Sequence, residues 1–486
     1  MALACFSSAD AATWYVDNTA TGANTGTSWA NAWTSLNSVQ ASPGDTVYIS
    51  GGPSSGSQTY TGTTNWQPPG GISGNPVIYS TGQDSSHNGV VIIDGGGAPA
   101  FINDNGSLHW ITFTGNVGGS RNMTIQNYGA AIAATGSDGA SGITVSYCNL
   151  YSPCNLFYGV APYEFDHNFF QCPLGVQASL SFNADDNPSG YDTNLIHDNI
   201  FYAYRDASGS GFGDNGISWG DSVSIYNNYF KGVATNYTAQ GGTGHQDGIQ
   251  IAGPYIKIYN NTFESLADSA IFIDFTANID SIQIYNNVCF IGDPALIGFP
   301  RGIQVYPDNG APATTAVSNM WIANNTCVDY PNYYGIIVGQ ISGKTLSFSN
   351  AYIVNNLCYN AGFTTDPGPV LQDNVNISTG GSQGFVSYSE FSSSNNFHLT
   401  SAFTAVIGQG TSLPSLIFTT DKDGNLRASP PGAWDPGAYA YQAAVPTPTP
   451  TPVPTPTPTP ALTPTPTPAL TPTPLPPTNL RVTGSS

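Results

Sequence analysis

One short pattern recurs through the middle of this 486-residue chain and limits what it can fold into. An apolar run ends in Asn, and an apolar or aromatic residue soon follows. The pattern reads VSYCNLY at Asn149, FDHNFF at Asn168, LIHDNIF at Asn199 and SIYNNYF at Asn228. It continues as KIYNNTF at Asn261, QIYNNVCF at Asn287, WIANNTCV at Asn325 and YIVNNLCY at Asn356. Successive asparagines lie 19, 31, 29, 33, 26, 38 and 31 residues apart. Such a period, with loops of variable length, is that of a solenoid whose turns bury their apolar faces against one another.

The turns read as strands: β-branched and aromatic residues alternate, and Gly or Asn punctuates. Only 8% of residues are charged, against about 25% in an ordinary globular domain. The only glutamates are Glu164, Glu264 and Glu390, too few to furnish helix surfaces. The class is all-β. Stacked parallel strands of one chain make a parallel β-helix, with equivalent residues in columns about 4.8 Å apart. The Asn column then predicts an amide ladder. Cys289, Cys327 and Cys358 fall in one column and are expected as a buried thiol stack rather than disulfides or metal ligands. For Cys148, Cys154 and Cys172, a Cys148–Cys154 or a Cys154–Cys172 disulfide is open.

The net charge of −21, with nine Lys plus Arg, argues against nucleic acid as a partner. A polyanionic glycan would need a bridging divalent cation. Residues 1–12 end in an Ala9-Asp10-Ala11 motif of the signal-peptidase kind and are read as the remnant of a signal peptide. Residues 13–443 form the solenoid domain. Residues 444–477 alternate Pro and Thr, an extended, disordered linker. Residues 478–486 resemble the start of a fibronectin type III module. No stretch of about 20 apolar residues spans a membrane. A secreted or cell-surface location is expected, with attachment through further C-terminal domains.

The opening TWYVDNTATGANTGTSWANAWTSLNSVQASPGDTVYISGG resembles the first turn of the secreted right-handed parallel β-helix proteins of the pectate-lyase-like superfamily. In that likeness SWANAWTSLNSVQ is an N-terminal capping helix and PGDTVYI the first rung. DKDGNLRASPPGAWDPGAYAYQ resembles the closing segment. The resemblance implies the fold. It implies little about activity, because the superfamily holds lyases, hydrolases, epimerases and non-enzymatic adhesins.

A second pattern, Gly or Ala before an Ile run, aligns Gly216, Gly248, Ala270, Gly302 and Gly335. The preceding column is Asn215, Asp247, Ser269, Arg301 and Tyr334; the one before that is Asp214, Gln246, Asp268, Pro300 and Tyr333. Asp247 and Asp268 are then diagonal neighbours with Cα atoms roughly 6 Å apart, and Arg301 is roughly 10 Å from Asp247. Close carboxylates split their pKa values, leaving an acid and a base. Their separation would set a hydrolase's stereochemistry. The candidate catalytic residues are Asp247, Asp268, His245 and Arg301. Asp214, Asp247, Asp268 and Asp274 could instead hold Ca²⁺.

Asp247-Gly248-Ile249 is similar to the Asn-Thr-Asp-Gly rung of polygalacturonase-type hydrolases, and Asp268 stands where their Asp pair begins. Pro300-Arg301-Gly302 replaces their Gly-His-Gly, so pectin hydrolysis is not implied. Asp before Gly is also what a β-helix turn requires. Two functions follow: a secreted carbohydrate-active protein that binds and cleaves a polysaccharide as a lyase or glycoside hydrolase, or a non-catalytic adhesin or surface scaffold.

Overall fold

The computed structural model describes residues 11–443 apart from 105–107, 135–140, 157–161, 173–177, 183–189, 206–214, 235–245, 295–298, 309, 379–383, 416 and 428–432. The expected linker and C-terminal module, and residues 1–10 of the expected signal remnant, lie outside the described residues. No helix among the described residues is long and apolar enough to cross a membrane.

A typical turn contributes one strand to each of three parallel sheets. Val223–Tyr226, Tyr229–Ala234 and Ile249–Ile251 form one turn. They pair in register with Ile256–Tyr259, Thr262–Glu264 and Ser269–Phe275 of the next. The first sheet runs from Thr13–Val16 to Val370–Gln372. The second and third sheets merge where one strand bends from one into the other, as Met123–Ala134 and Thr326–Val338 do. The chain is a parallel β-helix.

Alternation decides what faces inward. Val223, Ile225, Phe230, Ile249 and Ile251 are all buried in the central column of apolar side chains. Phe170, Phe201, Phe230 and Phe263 stack face to face at 4.5, 4.7 and 4.8 Å. The same column continues as Cys289, Cys327 and Cys358, all buried free thiols. The ring stack also accounts for the glycine column. A Cβ at Gly248 would lie 2.6 Å from the Phe263 ring, and one at Gly216 would lie 2.8 Å from Phe230. Cys148 and Cys154 are buried free thiols, so neither disulfide weighed from the sequence forms.

The corner between the first and second sheets is built from a residue pair. Tyr147, His167, Asp198, Asn227, Asn260, Asn286, Asn324, Asn355 and Asp373 all have φ between 51° and 57°. Asn and Asp tolerate this left-handed backbone best, which is why Asn-Asn repeats here. The next residue carries the ladder. Each buried Asn Oδ1 accepts the backbone N–H and the Nδ2 of the Asn one turn earlier, from Asn168 through Asn199, Asn228 and Asn261. The ladder runs on through Asn287, Asn325 and Asn356 to Asn374. Asn149 is out of step: Cys148 N–H donates to Asn168 Oδ1 in its place, because here the left-handed residue is Tyr147.

The N-terminal capping helix is not formed. SWANAWTSLNSVQ makes two 3₁₀ turns, Trp29–Asn31 and Leu36–Ser38, capped by Ser28 and Ser35. Trp33 between them bridges Val16 in parallel, exchanging backbone hydrogen bonds with Tyr15 and Asp17. Its ring stacks on Trp14 at 5.1 Å. Pairing with the first strand holds this stretch out of a helix. At the other end, Phe385, Phe397, Phe403 and Val406 pack against Val288, Phe290, Val328 and Leu357 of the last turns of the second sheet. Buried Arg427 ties that end down, donating to Asn286 Oδ1 and the Gly437 carbonyl at 2.8 Å each.

Candidate functional site

The Gly-Ile columns pair as the sequence register requires: Ile217 with Ile249, then Ile271, Ile303 and Ile336, all in the third sheet. These isoleucines point inward. The alternate residues Ser218, Gln250, Phe272 and Gln304 form the outer column.

Asp247 stands at the entrance to this sheet with 0% exposure. Its N–H donates to Asn215 Oδ1 at 2.9 Å, and its own Oδ1 accepts the Ser269 N–H at 2.8 Å. Asn215, Asp247 and Ser269 are thus a second, shorter ladder joining three turns. Gln246 beside it is also buried, donating to the Ala203 carbonyl at 2.7 Å and accepting the Ala267 N–H at 2.9 Å.

Asp268 and Arg301 are brought together. Arg301 Nη1 lies 2.9 Å from Asp268 Oδ1, and the Arg301 N–H donates to the Asp268 carbonyl at 2.7 Å. Their side chains keep 20% and 24% of their exposure, so the pair is reachable from solvent. Arg301 Nη1 also donates to the Phe299 carbonyl at 3.2 Å. Phe299 is 60% exposed and meets Tyr333 edge to face at 6.2 Å; Tyr334 is 39% exposed. Further along, Phe272 and Tyr306 meet edge to face at 6.3 Å. Burial pushes the Tyr306 phenol up, against the opposing pull of Arg301.

Asp274 lies elsewhere on the face. Its Oδ2 accepts from Gln250 at 3.1 Å, and Gln250 in turn accepts from Asn215 at 2.9 Å. Six residues separate Asp274 from Asp268 on one extended segment, roughly 20 Å. His245 and Asp214 fall outside the described residues, as do Asp185 and Asp186. Among the described residues no three His, Cys, Asp or Glu side chains gather to hold a metal ion. Among the described residues the third sheet therefore offers a partly exposed acid–guanidinium pair beside aromatics, and a buried Asp247 that joins turns.

Two polar clusters are absent from the sequence reading. On the first sheet, His197 lies between Glu164, at 3.3 Å, and Asp198, at 2.9 Å, and stacks on Tyr226 at 4.7 Å. On the second, Lys231 lies 2.9 Å from Glu264. The signal for the second was present: counting three residues on from Asn228 and from Asn261 puts Lys231 directly over Glu264.

No family model matches the chain, and no curated protein matches it. Among solved structures, pectate lyase Pel9A aligns over 88% of this chain and 96% of its own, at 14% identity and a TM-score of 0.35. A rhamnogalacturonan lyase covers 78% of this chain and 91% of its own, at 15% identity and 0.34. An alginate lyase from Paenibacillus sp. str. FPU-7 covers 71% and 95%, at 15% identity and 0.28. Likeness at this level assigns no role to any residue here.

Proposed function

We propose that this chain binds a polysaccharide along the outer face of the third sheet and cleaves it beside Asp268 and Arg301. The observation that supports this reading is the partly exposed Asp268–Arg301 pair, 2.9 Å apart, with Arg301 bonded to the Phe299 carbonyl and the Phe299 ring against Tyr333. A guanidinium has five donors, so Arg301 can hold Asp268 and still receive a substrate carboxylate. Aromatic rings beside it suit the apolar faces of sugars.

Elimination from a uronate-bearing chain fits this face better than hydrolysis. Hydrolysis by paired carboxylates needs a second acid about 5–9.5 Å from the first. Asp247 is buried and Asp274 is too far along the strand. In elimination, a base takes the proton beside the uronate carboxylate, the bond to the leaving oxygen breaks, and that oxygen takes up a proton. Arg301 carries the substrate charge, Asp268 positions Arg301, and His245, two residues before Asp247, is the candidate base. Ca²⁺ would assist a polyanion in approaching a chain of net charge −21.

The burial of Asp247 favours a second reading, a secreted or cell-surface adhesin or scaffold, since half of the expected acid pair serves the turns. The deciding experiment is a panel of glycans assayed for unsaturated products and for reducing ends, with and without Ca²⁺. Wild type, Arg301→Ala and His245→Ala are compared. Unsaturated products lost in both variants support the elimination reading. Activity unchanged in Arg301→Ala removes this site, and no product from any glycan leaves the adhesin.

A further inference from the structure

The outer face of the second sheet carries chemistry that the third sheet does not use. Where residues 393–398 approach the strands, a cavity of roughly 290 Å³ opens. That is near the lower end of small-molecule sites, about 300 Å³. Val288 and Phe290 form its apolar floor. Glu264 reaches into it, although the residue is only 4% exposed. The Lys231 ammonium stands 2.9 Å from Glu264 Oε1, and the Tyr229 hydroxyl donates to Oε2. A carboxylate buried to this depth needs such partners. Burial first, and Glu264 second, push the Tyr229 phenol up, so it stays a donor. On the opposite wall, the His398 ring stacks on Tyr439 at 4.0 Å, while Asn396 and Asp423 each hold one of its nitrogens at 2.5 Å.

We propose that this cavity is a binding site for one neutral glycosyl unit. The carboxylates are already held: Glu264 by Lys231, and Asp423 by the His398 ring. The cavity therefore favours neither a cation nor an anion. What remains is an apolar floor, aromatic rings and polar atoms that converge, which suits a ligand with an apolar face and a rim of hydroxyls. A carboxylate has about four lone-pair sites, so Glu264 can accept sugar hydroxyls while keeping Lys231 and Tyr229. The site is separate from the Asp268–Arg301 face and does not depend on cleavage there.

The test titrates the full chain with cellotriose, mannotriose, xylotriose and galactobiose, with tri-galacturonate as the charged probe, by calorimetry. Saturable binding of at least one neutral saccharide is expected. Thr262→Trp, at the cavity wall, should abolish it by filling the space. His398→Ala, on a half-buried residue outside the central core, should weaken it about tenfold. Arg301→Ala should leave it unchanged, which separates this site from the third sheet. The proposal is overturned by no neutral binding up to about 10 mM, by tighter binding of tri-galacturonate that persists in Arg301→Ala and is lost in Thr262→Trp, by undiminished neutral binding in Thr262→Trp, or by its loss in Arg301→Ala.

Discussion

Asp247 can be tested by two substitutions that separate its structural and chemical roles. Its Oδ1 accepts the Ser269 N–H at 2.8 Å in a fully buried setting. Asn keeps that acceptor in the same shape, as Asn215 does one turn earlier for the Asp247 N–H. Ala removes it and leaves a buried N–H without its acceptor, at a cost of about 1–3 kcal/mol. At 1.4 kcal/mol per decade, that is about 5- to 150-fold in the local opening equilibrium. Stability in a solenoid is a sum of nearest-neighbour terms, so the effect should be local. Hydrogen exchange of peptides spanning residues 266–275 reads it directly. Asp247→Ala should exchange within that range faster than wild type, and Asp247→Asn should stay within a few-fold. Wild-type exchange in Asp247→Ala would refute the ladder argument. Should the proposed cleavage be found, its loss in Asp247→Asn with exchange intact would refute a purely structural role.

Three further outcomes follow from the columns. Asn261→Ala removes the acceptor for Asn228 and the donor to the Ile225 carbonyl. It should cost about 3 kcal/mol in urea unfolding, whereas Asn149→Ala, outside the ladder and with long contacts of 3.4 Å, should cost under about 1 kcal/mol. The thiols of Cys289, Cys327 and Cys358 should resist a thiol-specific disulfide reagent in the native protein and react after denaturation; native labelling would contradict their burial. His197 should give a pH-dependent stability. Burial pulls its imidazole down, but hydrogen bonds to Glu164 and Asp198 outweigh that and raise it above 6.5. A raised cation stabilises fully below the unfolded value and is lost as pH climbs through the folded one. The hydrogen bond to His197 lowers Glu164 below 4.5 despite burial, so its contribution is full above that value and is lost as pH falls through the folded one. Thermal midpoints should therefore fall from pH 6 to pH 8, and His197→Gln should flatten that slope.

What the sequence shows well is what repeats. The asparagine spacing locates the corner of each turn, because a left-handed residue followed by a buried amide has few alternatives there. The Gly-Ile alignment reaches the correct pairing from Ile217 to Ile336, since a one-residue slip would turn every isoleucine outward. The same register explains the one misplaced member: Asn149 fits the pattern in letters, but Tyr147 takes the turn and Cys148 takes the ladder position. The expected capping helix is not formed for a related reason. Trp29–Asn31 and Leu36–Ser38 have helical capping residues, and only the pairing of Trp33 with Val16, fixed elsewhere in the chain, decides against a helix.

Function is harder to read because register assigns a column but not a depth. Asp247 and Asp268 differ by one position in the columns, yet one is sealed between turns and the other meets solvent beside Arg301. The backbone turns between them, so alternation no longer says which side chain faces out. Lys231 and Glu264 show the converse. They occupy one regular outer column, and their pairing could be counted from the asparagines alone. The enclosing wall could not, because His398 and Tyr439 come from a segment more than 100 residues further on that follows no period. A repeat thus places half of a site on a β-helix, and the irregular segment that folds back over it supplies the other half.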